Sequence, residues 1–254
     1  MKASWYSALR VALCAASFIS LPAAALAATY TVPVPNQFSR GWYDDTGFHG
    51  LDPSFTDNYY VGREDEQFRN FFIFPLPLLA PGESISSVSL ALYCPANVAA
   101  VGRGYDSPDP TETYQLFSID RTSIAALRAG GTGLTGIFAD LGDGISYSGG
   151  AVVSSANEGT DIVIPLNPAF LAYATANLGS EVVLGGAVTT LAPVNNFFVE
   201  GIFGHTSVGV DGVGLNQTRL IINTVPEPSS AALLLSSALF CLRRRSLRTH
   251  GRSS

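Results

Sequence analysis

The chain has 254 residues, 14 Lys+Arg against 20 Asp+Glu, three cysteines and a formal net charge of −6. Seven of the cations are Lys2, Arg10, Arg243, Arg244, Arg245, Arg248 and Arg252, at the two ends; residues 28–225 hold seven arginines, no lysine and nineteen carboxylates. So acidic a body excludes nucleic acid as a partner, since phosphates demand a basic face, and Cys94, the only cysteine between the ends, excludes a disulfide-stapled fold.

Taken in chain order, the first 27 residues read as a secretory signal peptide. Lys2 and Arg10 form its positive region, residues 11–21 its apolar region, and Ala25-Leu26-Ala27 a small-x-small site for cleavage after Ala27 or Ala28. The secretory translocase and signal peptidase are the partners this implies. Residues 28–224 suit one domain with a sizeable core.

That body reads as strands and turns. Residues 29–34 predict a first strand, and Asn70-Phe71-Phe72-Ile73-Phe74 a buried one. Residues 85–93 alternate, with Val88, Leu90 and Leu92 on one face. Strands follow at 114–119, 151–153, 162–164, 182–184, 197–199 and 220–222. Two short helices interrupt them. The first runs over 123–129, capped by Thr122 or Ser123 and stopped by Gly130-Gly131. The second runs over 168–178, with Asn167 as N-cap, Pro168 in the first turn and Gly179 as stop. Many short strands with few helices predict an all-β fold, a single β-sandwich or jelly roll with two short helices. A signal helix precedes it and a membrane helix follows.

The densest polar-aromatic stretch is 42–63. Trp42, Tyr43, Tyr59 and Tyr60 stand there among Asp44, Asp45, Asp52 and Asp57. Rings beside carboxylates suit sugar recognition, the ring stacking on the sugar and the carboxylates accepting from hydroxyls. The bland alternative is a loop that folds its aromatics onto the sandwich. The same four aspartates can ligate a structural Ca2+, though not at EF-hand spacing; solvated acid is again the alternative. No catalytic constellation stands out. His49 and His205 make no zinc pair, no Gly-x-Ser-x-Gly elbow occurs, and the glycine runs lack a P-loop lysine. A buried, inert Cys94 is expected.

The C-terminus has three parts. Pro226, Glu227 and Pro228 form a stiff lead, residues 231–242 are uncharged and apolar, and Arg243, Arg244 and Arg245 stop them. Such a basic cluster keeps the arginines cytoplasmic and the body outside. The fourteen residues 229–242 span roughly 21 Å at about 1.5 Å each, short of a core about 30 Å thick, so they cross only a thinned bilayer or with Arg243 snorkelling.

This order, motif and position resemble a PEP-CTERM sorting tail over residues 225–254, with the match at Pro226, Glu227 and Pro228. The resemblance implies an exosortase that recognises and processes the tail, transient inner-membrane anchoring, and delivery to the surface or extracellular matrix of a Gram-negative bacterium that makes exopolysaccharide. The body also resembles the jelly-roll, carbohydrate-module-like domains of secreted bacterial proteins. That likeness rests on Arg40 to His49, Arg69 to Phe74, Ser87 to Tyr93 and Arg219-Leu220-Ile221-Ile222. The expectation is a non-enzymatic surface or matrix protein, with exopolysaccharide recognition through the Trp42–Tyr60 region as the alternative.

Overall fold

A computed structural model describes residues 27–51, 59–96, 102–192, 199–205 and 218–227. Two antiparallel sheets make up the body. The four-stranded sheet has the order β1 (Thr29–Pro33), β12 (Arg219–Pro226), β5 (Glu83–Cys94), β9 (Thr160–Pro165). The larger sheet has the order β6 (Gly102–Asp106), β11 (Glu200–His205), β3 (Val61–Arg63), β4 (Gln67–Pro75), β10 (Glu181–Val188), β7 (Glu112–Phe117), β8 (Ala151–Val153), and β2 (Arg40–Asp44) also pairs with β4. The fold is mostly β, a nearly closed β-sandwich.

The main core lies between the sheets. The smaller sheet sends in Val32, Val88, Leu90, Leu92, Ile164, Leu220 and Ile222; the larger answers with Phe72, Phe74, Tyr114, Leu116, Val182 and Leu184. The small sheet's other face is largely polar. Thr29 and Ser87 bracket Asn223 in a hydrogen-bonded row, and Arg219 pairs with Asp161 at 2.8 Å. One wet face and one dry face explain the alternation along β5.

The large sheet has no such wet face at its centre. Phe71 and Ile73 of β4, with Val183 of β10, point away from the main core into a second cluster. That cluster is roofed by α1 (Ile124–Ala129) and α2 (Thr135–Asp140) through Leu127 and Ile137, with Leu141 just after α2. Phe71 through Phe74 are therefore all fully buried, which is why the run shows no period. A third helix, α3 (Pro168–Ala176), closes the main core with Phe170 and Ala174. Asn167 caps it by accepting from the amides of Ala169 and Phe170, and Ser123 caps α1 by accepting from Ala126.

The described residues thus hold three helices, one more than the sequence predicts. α2 escapes notice because Leu134 stands at its N-cap with no side-chain cap and Gly136 sits inside it. The body residues Ala28–Leu79 and Ile85–Thr224 form one unit. Within the separate unit, Glu83 N donates to Ala80 O, and Glu227 N to Gly82 O at 2.7 Å. The signal region 1–26, Pro228 and the tail 229–254 lie outside the described residues.

Truncating a β4 side chain at the centre of this packing tests it. Phe72→Ala should cost about 3–5 kcal/mol in urea unfolding, whereas Val163→Ala, at a side chain 55% exposed on the edge strand β9, should change stability by less than about 0.5 kcal/mol.

Candidate functional site

The polar-aromatic stretch is where sequence chemistry concentrates, and the structure places its aromatics inside. Trp42, Tyr43, Tyr59 and Tyr60 are 7, 0, 0 and 6% exposed. They also part company. Trp42 and Tyr60 meet on Phe68, with centroids 4.9 and 5.1 Å away, in a small cluster edged by Phe48. Tyr43 belongs to the core under α1 and α2, and Tyr59 to the core between the sheets.

The reason is elementary. Trp42 and Tyr43 are consecutive in β2, and successive side chains of a strand face opposite ways. β2 pairs with β4 from Arg40↔Phe72 to Asp44↔Phe68 and is buried throughout. It is a strand, where the bland alternative is a loop folding its aromatics onto the sandwich. No coplanar, exposed platform forms from these four rings; each is packed inside the fold.

Their polar atoms serve the fold as well. The Tyr43 hydroxyl donates to Leu127 O at 2.9 Å, tying β2 to α1, and burial pushes its pKa up to about 12. The Tyr59 hydroxyl donates to Tyr93 O at 2.9 Å. Asn70 donates from Nδ2 to Tyr59 O and accepts the Tyr114 hydroxyl at Oδ1, both at 2.8 Å, so a fully buried amide is matched on both sides.

The aspartates divide in the same way. Asp44 is 7% exposed, and its Oδ1 accepts from Thr46 N, Thr46 Oγ1 and Phe48 N at 3.0, 2.6 and 2.9 Å. It holds the turn after β2, where Gly47 has φ +79° and any Cβ would meet Leu134 N at 2.1 Å. Asp45 is exposed; Asp52 and Asp57 lie outside the described residues. Among the described residues no group of three or more His, Cys, Asp or Glu could hold a metal ion.

His49 is buried at 3% exposure. Its Nδ1 lies 2.7 Å from Trp42 O, and its ring centroid 4.7 Å from that of Tyr43. A backbone carbonyl only accepts, so Nδ1 carries a proton, and burial favours the neutral form of the ring. Burial pushes the ring below its ordinary 6.5; the carbonyl bond works the other way without cancelling it. Cys94 is buried, and burial foremost, then Glu158, pushes its thiol up to about 12, the opposite of a reactive thiolate.

Among the described residues, an open depression of about 470 Å³ lies over α2, lined by Arg121, Thr122, Gly133, Leu134, Gly136, Ile137 and Ala139. Its size suits a small ligand, but its single cation is already held: Arg121 pairs with Asp140 at 3.2 Å and with Asp143. Asp140 also accepts from the amides of Asp120 and Arg121. Burial pushes its carboxyl up, but these bonds and one from Thr122 outweigh it and hold it below its ordinary value. Arg69 donates to Phe138 O and Ala139 O at 3.1 and 2.9 Å near the end of α2. This network fixes α2; among the described residues it brings no nucleophile to a base. Nothing in the sequence marked it, because its members lie on separate turns.

No protein-family model matches the chain, and no curated protein matches it.

Two outcomes follow from the burial of this stretch. A buried neutral His49 takes up fewer protons than the unfolded chain, so stability should fall as pH drops through 6.5 towards its lower folded value. Urea unfolding at pH 7.5 and 5.0 should show that fall in the parent and a shallower one in His49→Gln; equal slopes would contradict the assignment. Trp42→Ala should destabilise the fold by about 3–5 kcal/mol, as loss of a core ring does, rather than leave it intact as loss of a surface ring would.

Proposed function

We propose that the chain is an exported, non-catalytic surface or extracellular-matrix protein, sorted by an exosortase acting on its tail in an exopolysaccharide-producing Gram-negative bacterium. The observation that carries this reading is the order of Pro226-Glu227-Pro228, an uncharged apolar run and Arg243-Arg244-Arg245. The signal-peptide pattern at residues 1–27 supports export. Strand β12 supports it too, since it ends at Pro226 and so hands the chain from the sheet to the motif.

The body acts here as a stable extracellular domain. We infer the jelly-roll form of the sandwich. Its support is that β1, β5, β9 and β12 of the four-stranded sheet are each separated along the chain by strands of the larger sheet, so the chain crosses between the two sheets repeatedly, as double-sheet jelly rolls do. Burial of the aromatics and of Asp44 favours the structural role over a sugar platform.

Replacing the motif tests the sorting. In a host with an active exosortase, Glu227→Gln, or Pro226→Ala with Pro228→Ala, should leave the tail uncut and the chain in the membrane fraction. The parent should lose the tail's mass. Identical masses and locations for parent and variants would sink the proposal.

A further inference from the structure

The two ends of the body meet at one pole of the sandwich. Ala28 N donates to Thr224 Oγ1 at 3.1 Å and Thr224 N to Ala28 O at 2.8 Å, across 196 residues of chain. The β1–β12 ladder continues from Thr29↔Asn223. The connection leaving β4 turns at this pole too, since Ser86 Oγ of β5 donates to Asn223 O. Leu76 N, just after β4, donates to Ser180 O.

That connection is apolar and stiff: Pro75-Leu76-Pro77-Leu78-Leu79. Leu76 is buried and Leu79 packs on the core, whereas Leu78 is 78% exposed, the most of any large apolar side chain among the described residues. Leu78 lies against Gly179, where a Cβ would come within 2.7 Å of it. Residues 75–79 and 177–180 carry no charge, and nearby Glu181 is held by both Nη atoms of Arg128 at 2.9 and 2.6 Å.

A single exposed leucine is ordinary on a protein surface. Its place is what matters. Four residues separate Thr224 from Ser229, the first of the fourteen residues 229–242, so the five steps between them reach at most about 18 Å at about 3.3–3.6 Å each. We propose that this pole is the membrane-facing surface of the uncut precursor, and that Leu78 and the 75–79 connection meet the lipid headgroup–acyl boundary. The inference rests on the tail being membrane-inserted, as proposed above. With both ends at one pole, β1 and β12 can pair and complete the small sheet while both are still held at the same bilayer. Ends at opposite poles could not do so on so short a tether.

The test uses the chain retaining its tail, with Cys241→Ser, carrying one added cysteine at Leu78→Cys, Ser180→Cys or Asp109→Cys. Asp109 lies in the β6–β7 connection, at the far pole by the register Val188↔Tyr114 against Glu181↔Pro75. Each variant is labelled with an environment-sensitive dye and reconstituted into phosphatidylethanolamine–phosphatidylglycerol vesicles containing headgroup-region spin-labelled lipid. The expected result is quenching several-fold stronger at positions 78 and 180 than at 109. Equal quenching at all three, or none at 78 and 180 on vesicle-bound chain, overturns the docking and leaves the sorting proposal standing. A chain that stays off the vesicles overturns the membrane anchor, and this inference with it.

Discussion

The structure depends on β4 being dry on both faces. Phe72 and Phe74 press against the small sheet, Phe71 and Ile73 against α1 and α2. Neither cover is optional, because exposing either pair would return two large apolar side chains to water, roughly 1.5–3 kcal/mol each. The rest follows from supplying those covers. β2, β3 and β10 flank β4 through its backbone. The β7–β8 connection supplies the helices, and Tyr43, Arg69 and Asp140 bolt them down by hydrogen bonds.

The same constraint explains what became of the polar chemistry. In a strand with no wet face, every polar side chain must find a partner inside. Asn70 does so between Tyr59 and Tyr114, His49 on Trp42, and Asp44 on its own turn. These residues look functional in a one-dimensional reading because buried polar groups and binding groups are the same residue types. Geometry separates them: here the bonds close on the protein itself.

Legibility followed the same divide. Strands with one wet face, such as β5 and β9, and capped helices such as α1 and α3 show their period or their caps in the sequence. β2 does not, since Arg40-Gly41-Trp42-Tyr43-Asp44 is buried on both sides and carries turn-like residues. β3 is three residues long and α2 lacks a side-chain cap, so neither announces itself. The expected strand at 197–199 falls mostly outside the described residues, while β11 begins at Glu200. For the site, the identity of the aromatics was legible and their burial was not, because burial depends on β2 pairing with β4 across the 22 residues 45–66, which local sequence does not reveal.

In the proposed sorting, this sandwich is a passenger cut at both ends and delivered outside the cell. Intact-mass analysis of the chain recovered from the medium and cell surface of an exosortase-bearing host tests it most directly. Cleavage at both ends would yield a species beginning at Ala28 or Thr29 and lacking the apolar run and the arginines beyond it. A full 254-residue chain confined to the cytoplasm would contradict it.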